Sequence, residues 1–385
     1  MTGHHDHEHD DIQCEECWTW DPLAATRTGS EPPLDVLTTG PLFFDLIFSG
    51  LPRLPEPGEE LYSTGMGSCP GGIANLATAT ARLGLRTGLV TGFGDDAYAD
   101  WMWDVLSEDE HIDLSASRRF DNFHSAITVS MAFRGDRGMV THAHGLPESL
   151  EDALLAAPQA RAAAIDLNSE GPHWRTLSER GTLLFADIGF DETGEWDQAR
   201  LAPLEFCHAF TPNAVEAMAY TRTERPTDAV RKLAERVPLA VVTDGVGAAS
   251  RSTAPRVRRP TARPSPSRRS IRPAPATCSP PPSCSARSPG GPGDEAPLRF
   301  AQRLDGGSPL RGSLAAPGWG DIADWWRDVS KRATDGDLRA AYIARDYAFL
   351  ADLIPTHEVH GVRRAEGTFA LASHLGYRRG RPEGA

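Results

Sequence analysis

The stretch SCPGGIANLATATARLGLRTGLVTGFGDD, residues 68–96, holds the residues best suited to grip a ligand. Gly71 and Gly72 have no side chain to keep a bound molecule away from the backbone, and Asn75 offers a donor and an acceptor at the start of a helix. Together they suit a molecule rich in hydroxyls. The same residues also suit a glycine turn followed by an asparagine helix cap, and spacing alone leaves both readings open. Leu76, Ala79, Thr80 and Leu83 fall on one face of that helix, which Gly84 ends. Gly92, Gly94 and Ala97 then spell the G-x-G-x-x-A of a dinucleotide site. Asp95 and Asp96 argue against it, because carboxylates at a helix N-terminus repel a pyrophosphate. The first residues, MTGHHDHEHDDIQCEECWTW, gather four histidines with Cys14 and Cys17, donors that zinc accepts. Their spacing fits no zinc module, and a solvated tail is the simpler reading.

The elements that must position these groups alternate between short apolar strands and helical segments from Leu34 onward: LDVLTTG, GGIANLATATARLG, LRTGLVTGFG, LLFADIGF, EFCHAFTPN and LAVVTDG. This alternation predicts an α/β fold with a mainly parallel sheet covered on both faces. FSGLPRLPEPGEELYSTG and HSAITVSMAFRGDRGMVTHAHG break the rhythm with polar, alternating sequence, and predict exposed antiparallel strands near 46–66 and 122–147 that form a small β lid. Residues 1–33 are expected to be a disordered polar tail and 34–250 the α/β domain. The 385 residues contain neither a membrane span nor a secretory signal, and six cysteines form no disulfide framework, so a cytoplasmic protein is expected.

The spaced positions Gly71, Gly72, Asn75, Ala77, Gly84 and Gly94 resemble the first signature of the ribokinase / phosphofructokinase-B carbohydrate kinases, with two residues instead of the usual three between the Gly pair and Asn75. Further likenesses follow in the family's order: Asp45 in GPLFFDLIF, Asn213 and Glu216 in TPNAVEA, and Thr243, Gly245 and Gly247 in VVTDGVGA. The resemblance implies a three-layer α/β/α fold and ATP-dependent phosphorylation of a hydroxyl on a sugar or sugar-like substrate. It implies that Asp45, at the end of the first strand, binds acceptor hydroxyls with Gly71, Gly72 and Asn75. Asn213 and Glu216 would organise Mg2+ and phosphate waters, and positions 243–247 would line the nucleotide. Taken alone, Asn213 and Glu216 read as a helix cap and a solvated acid. The implied partners are a small sugar or nucleoside, no membrane, and at most a second copy of the chain joined through the lid.

The family's second motif, Asp-Thr-x-Gly-Ala-Gly-Asp, supplies the anion hole and the catalytic base, and it is missing. Where it belongs stands RSTAPRVRRPTARPSPSRRSIRPAPATCSPPPSCSARSPG, residues 251–290, with nine arginines, ten prolines and no acid. Such a segment suits a solvated linker or a nucleic-acid-binding one. Its coding logic suggests a third origin. The codons of Ile271 to Thr277, read from one nucleotide upstream, can spell Asp-Pro-Thr-Gly-Ala-Gly-Asp, and GC-rich DNA read out of frame yields Arg, Pro, Ala and Ser. Residues 251–312 are therefore expected to be a frame-shifted translation without packed structure, and nucleic acid is not an expected partner. Residues 313–385 would be the remainder of the kinase domain and a tail. The base would fall near Thr277; Asp294 in GPGD is a weak alternative, since Pro292 removes an anion-hole N–H. Limited proteolysis is expected to cut first within 251–290; protection of that segment while the rest is cleaved would overturn this reading.

Overall fold

The computed structural model describes residues 21–133, 136–167, 173–189, 191, 193–243, 250–253 and 318–355. Its main sheet has seven strands in the order β13-β12-β11-β10-β9-β1-β4: β1 (Leu34–Thr39), β4 (Thr87–Val90), β9 (Ala160–Asp166), β10 (Leu183–Asp187), β11 (Ala209–Phe210), β12 (Leu239–Val242) and β13 (Ser250–Thr253). Every pair is parallel except β12 with β13.

Adjacent residues of a strand point to opposite faces, and β4 shows both faces covered. Val90 joins a core with Ile165, Ala186 and Phe210, packed on helices α3 (Glu151–Ala156), α4 (His173–Glu179), α5 (Ala214–Thr221) and α6 (Pro226–Leu233). Leu89, one residue earlier, joins a second core with Ala77 and Ala81 of α1 (Ala74–Arg82) and Met102 of α2 (Ala97–Asp104). The predicted α/β class with a mainly parallel sheet is therefore present, with a helical layer on each side. Among the described residues no helix is long and apolar enough to cross a membrane.

A second, four-stranded sheet has the order β3-β2-β7-β8, from β2 (Leu42–Ser49), β3 (Gly65–Gly72), β7 (Ala126–Phe133) and β8 (Asp136–His142). It differs from the sequence expectation in two ways. Residues 50–64, with three prolines and two glycines, connect the strands without joining a ladder, because proline cannot donate to one. Also, β2 pairs with β7 in parallel, so the sheet is mixed. A short parallel pair, β5 (Gly92–Phe93) with β6 (Arg118–Arg119), lies apart from both sheets.

Helix α1 ends as its sequence requires. Gly84, at φ +80°, donates to the Ala81 carbonyl at 2.8 Å, and Leu85 donates to the Thr80 carbonyl at 3.2 Å, a glycine-terminated double bond pattern. Its buried face is not the one read from sequence: Ala74, Ala77, Thr78 and Ala81 face inward while Leu76 is exposed. The small residues win because α1 lies close to the sheet. Arg82 sits among them, its side chain 2% exposed, and its guanidinium holds the equally buried Glu110 through two hydrogen bonds, one of 2.8 Å from Nε. Glu110 follows a π turn, Val105–Asp109, that continues α2, so the ion pair ties the two helices of this layer together.

Residues 319–355 add helices α7 (Trp319–Thr334) and α8 (Leu338–Asp346), joined to α1 by a hydrogen bond from Trp319 Nε1 to the Leu83 carbonyl. Strand β13 corrects the left edge of the stretch 251–312 expected to lack packed structure, since Arg251, Ser252 and Thr253 pair with β12. The rest of 251–312 lies outside the described residues. Glu110→Ala should cost about 3–5 kcal/mol in urea unfolding, because it strands a buried guanidinium, whereas the double variant Arg82→Met/Glu110→Leu should recover most of that loss. Equal destabilisation by both would show that the charge pair is not what matters there.

Candidate functional site

In a parallel sheet all strands end at one edge, and that edge is where this chain gathers polar and acidic residues. In strand order, it presents Thr243 after β12, Asn213 after β11, Asp187 at the end of β10, Asp166 at the end of β9 and Gly40 after β1. Asp166 and Asp187 are register partners, and Asn213 and Thr243 form a bridge closed by Ala214 N–H to the Thr243 carbonyl at 2.7 Å.

Asn213 caps α5. Its Oδ1 accepts from the Glu216 N–H at 2.9 Å, and Glu216 Oε2 accepts from the Asn213 N–H at 3.0 Å. The helix-cap alternative is thus real for Asn213, but Glu216 is not a solvated acid: it is 6% exposed. Burial raises its pKa, hydrogen bonds with Asn213 oppose that, and the charge of Asp166 adds to the rise. Asp187 reaches solvent at the strand end yet is hemmed in by protein. This desolvation, together with the charges of Glu216 and Asp166, pushes its pKa up to about 7 against a hydrogen bond from the Ile188 N–H. Glu216 and Asp187, which hold their protons unusually tightly, stand with Asp166, the register partner of Asp187, and three carboxyl groups so gathered suit a divalent cation. Mg2+ fits this donor set: the donors are all oxygen, and Glu216 Oε1 accepts no hydrogen bond from a described residue. Asp166 and Asp187 were missed in the sequence. The signal was there, an acid closing an apolar run in AAAID and LLFAD.

The second group gathers where β1 hands the chain to the second sheet. Asp45 lies in the middle of β2, not at the end of the first strand, because Gly40 and Pro41 turn the chain before it. Its carboxylate rests on Gly71: a Cβ there would stand 2.2 Å from Oδ2. Burial pushes Asp45 up to about 6, against the pull of Arg137, and no described residue hydrogen-bonds to it. Gly72 adopts φ +62°, and a Cβ on it would come 2.3 Å from the Pro41 carbonyl oxygen. That carbonyl accepts from the Ile73 N–H at 3.0 Å, and the Gly40 carbonyl accepts from Thr91 Oγ1 at 2.8 Å. Asn75 is exposed in the first turn of α1; the N-cap is Ile73, so the asparagine-cap alternative falls away. The structure thus joins Asp45, Gly71 and Gly72 in one place, with Asn75 in the next turn. Asn213, Glu216 and Thr243 form another, three to four strands away, or about 14–19 Å at the usual strand spacing. Gly245, Gly247, Thr277 and Asp294 lie outside the described residues. A depression of about 430 Å3 lined by Arg118, Arg119, Phe120, Asp121, Pro147 and Glu148 includes neither group.

Asp96, which argued against a dinucleotide, does cap α2: its Oδ1 accepts from the Ala99 N–H at 2.8 Å and from Ser125 Oγ at 2.8 Å. Burial opposes its ionisation, but hydrogen bonds from Ser125 and Ala99 outweigh it and its pKa lies below the ordinary value. The anion site of that helix is already taken by the protein's own carboxylate.

The chain is similar in structure to ribokinases. A putative ribokinase from Agrobacterium tumefaciens matches with TM-score 0.47 at 19% identity over 57% of this chain and 73% of that one. The Arabidopsis thaliana ribokinase complexed with ribose and ATP matches with TM-score 0.47 at 18% identity over 74% and 90%. A Cryptococcus neoformans var. grubii ribokinase in complex with ADP matches with TM-score 0.45 at 20% identity over 58% and 76%. No family model matches the sequence, and no curated protein does.

Carboxyl-detected NMR titration should place the midpoint of Asp45 near 6 and that of Asp187 near 7, and Glu216→Gln should lower the latter by removing a neighbouring charge. Both groups bind protons more tightly folded than unfolded. Their contribution to stability is therefore full below about pH 4, the unfolded value, and is lost as pH rises through 6 to 7. Asp35, held by Arg27 and Arg86 against the cost of its burial, works in the opposite sense and loses its contribution in acid. A titration in which Asp45 and Asp187 show ordinary carboxyl midpoints would remove the electrostatic account of the site. Gly72→Ala should cost about 1–3 kcal/mol of stability, because the obstacle is backbone. Gly71→Ala should act chiefly by displacing the Asp45 side chain.

Proposed function

We propose that the chain is built as a carbohydrate kinase, transferring a phosphoryl group from ATP to a hydroxyl of a sugar or sugar-like acceptor. The observation that carries this reading is the division of one sheet edge into two sites. At one end the Asp45 carboxylate, with no hydrogen bond from a described residue, stands against a glycine pair, and at the other the carboxyl groups of Glu216, Asp187 and Asp166 gather beside a capped helix.

At the first site Asp45, once ionised, accepts hydrogen bonds from two neighbouring hydroxyls. The bare Gly71–Gly72 backbone lets the acceptor come close, and Asn75 can donate and accept at its rim. At the second, Glu216, Asp187 and Asp166 would hold Mg2+ directly or through water. Bound there, the metal supplies positive charge against the phosphates during transfer. Asn213 holds Glu216 in place, and Thr243, with Gly245 and Gly247 beyond it, would run beside the nucleotide. Closing the span of about 14–19 Å is the work of the two ligands laid end to end along the edge.

The sequence lacks the Gly-Ala-Gly-Asp that would hold the developing charge and take the hydroxyl proton. That absence supports a second reading, a non-catalytic binder of sugars or nucleosides on the same fold. A coupled assay for ADP release separates the two. The chain as written should show little or no turnover, and a gene repaired to read Asp-Pro-Thr-Gly-Ala-Gly-Asp at 271–277 should phosphorylate some sugar or nucleoside with ATP and Mg2+. Loss of one anion-hole donor alone typically costs on the order of a hundredfold in rate, and here the whole hole is missing. A silent repaired enzyme across a broad acceptor panel would count against the kinase reading.

Acceptor binding can be measured without turnover. Calorimetry should find that Asp45→Ala loses about 1.5–3 kcal/mol for each charged hydrogen bond removed. In the unsubstituted chain, affinity should fall about tenfold for each pH unit below 6, because the protonated carboxyl no longer accepts two hydroxyls. Unchanged affinity in the variant would remove Asp45 from the site.

A further inference from the structure

We propose that His124, His142 and His144 form a binding site for a divalent transition metal, with Zn2+ as the fitting ion, separate from the strand-end carboxylates. One ring nitrogen from each comes within 4.8 Å of the others, and all three side chains are exposed. The ring centroids stand 5.1 Å (His124 to His142), 4.8 Å (His124 to His144) and 4.9 Å (His142 to His144) apart. A tetrahedral centre with bonds of 2.0–2.1 Å needs its nitrogens about 3.3 Å apart. The remaining distance is closed by turning the exposed rings of His142 and His144 toward His124. Three imidazoles leave a fourth position for water or another oxygen ligand, the open form of a zinc site.

Each histidine is delivered by a defined piece of structure. His142 is the last residue of β8, paired with Ile127 of β7, and His144 follows two residues on, where an extended chain returns to the same side. His124 lies just before β7 in a segment clamped from both sides. Asp95 Oδ2 accepts from the Asn122 N–H at 2.7 Å, and the Asp95 N–H donates to the Phe123 carbonyl at 2.9 Å. Asp96 Oδ2 accepts from the Ser125 N–H at 2.6 Å. Gly94 lies beneath this segment so closely that a Cβ on it would stand 2.4 Å from the Phe123 carbonyl oxygen.

The tautomer of His124 is also set for ligation. Its Nδ1 lies 2.9 Å from the Ser125 carbonyl oxygen, which has no proton to give, so Nδ1 carries the hydrogen. The lone pair is then on Nε2. A ring whose one nitrogen donates to a backbone carbonyl while the other faces the metal is the usual outer support of a histidine ligand. Imidazole donors select Zn2+, Ni2+ or Cu2+ over Mg2+, which takes oxygen.

The N-terminal histidines and cysteines compete for the same ions and must be silenced in the test. In a full-length chain carrying H4A, H5A, H7A, H9A, C14S and C17S, titration calorimetry in excess Mg2+ should still show one Zn2+ bound per chain, because Mg2+ does not compete for imidazole donors. Adding His142→Gln should weaken Zn2+ binding by more than the roughly 10- to 100-fold that loss of an outer partner costs. Its circular dichroism should not change, because the side chain is exposed. Nitrogen NMR should show His124 Nε2, and not Nδ1, moving on addition of Zn2+. Zn2+ uptake that vanishes with the six tail substitutions alone would overturn the proposal. So would uptake that survives H124A/H142A/H144A in that background.

Discussion

A contact between two backbones sets where this chain can bind anything. Gly72 turns through a left-handed conformation directly over the Pro41 carbonyl, and the next residue, Ile73, donates to that same oxygen. The contact fastens the start of α1 and the end of β3 to the point where β1 leaves the parallel sheet. Asp45 on β2 is four residues after Pro41 and Gly71 is immediately before Gly72 on β3, so the carboxylate and its glycine floor meet because the joint closes. No side chain larger than hydrogen is compatible with that approach. The rest of the acceptor end is a consequence.

The acids of this chain divide by what stands opposite them. Asp35 is buried too, yet stays well below the usual carboxylate range, because Arg27 and Arg86 both reach it and the Arg86 N–H donates to it. Glu110 is buried beside Arg82. These acids are structural, and each removes its own need for a ligand. Asp45, Asp187 and Glu216 are held in protein surroundings without comparable cations among the described residues, which leaves their charge to be satisfied by a ligand. The electrostatic cost sits at the strand ends, where a ligand can offset it.

Much of this was legible in the sequence. Gly84 ended its helix as the spacing required, the strand and helix alternation produced the parallel sheet, and Gly71, Gly72 and Asp45 did meet. The misses share a cause. Spacing groups Leu76, Ala79, Thr80 and Leu83 on one face of α1, whereas packing against a sheet favours the face of Ala74, Ala77 and Ala81. Asp166 and Asp187 were passed over because an acid ending a strand looks in one dimension like the beginning of a loop; only the sheet register shows that two such ends are neighbours. The three histidines at 124, 142 and 144 are separated by up to 20 positions, and it is the β7–β8 pairing that folds that distance away.

The G-x-G-x-x-A run shows why motif and use have to be argued separately. Gly92, Gly94 and Ala97 have the spacing of a phosphate loop, and α2 begins where such a helix would. Yet Asp96 occupies the helix N-terminus with its own carboxylate, and Gly94 is filled against by the backbone of residues 123–125. The glycine is needed for the close approach of protein to protein, and the acids that would repel a pyrophosphate instead hold Asn122 and Ser125. The geometry that makes a helix N-terminus attractive to an anion is thus used internally, and its effect is to fix the segment that carries His124 onto the helix layer. In this part of the fold, hostility to one ligand and rigidity for another group are the same hydrogen bonds.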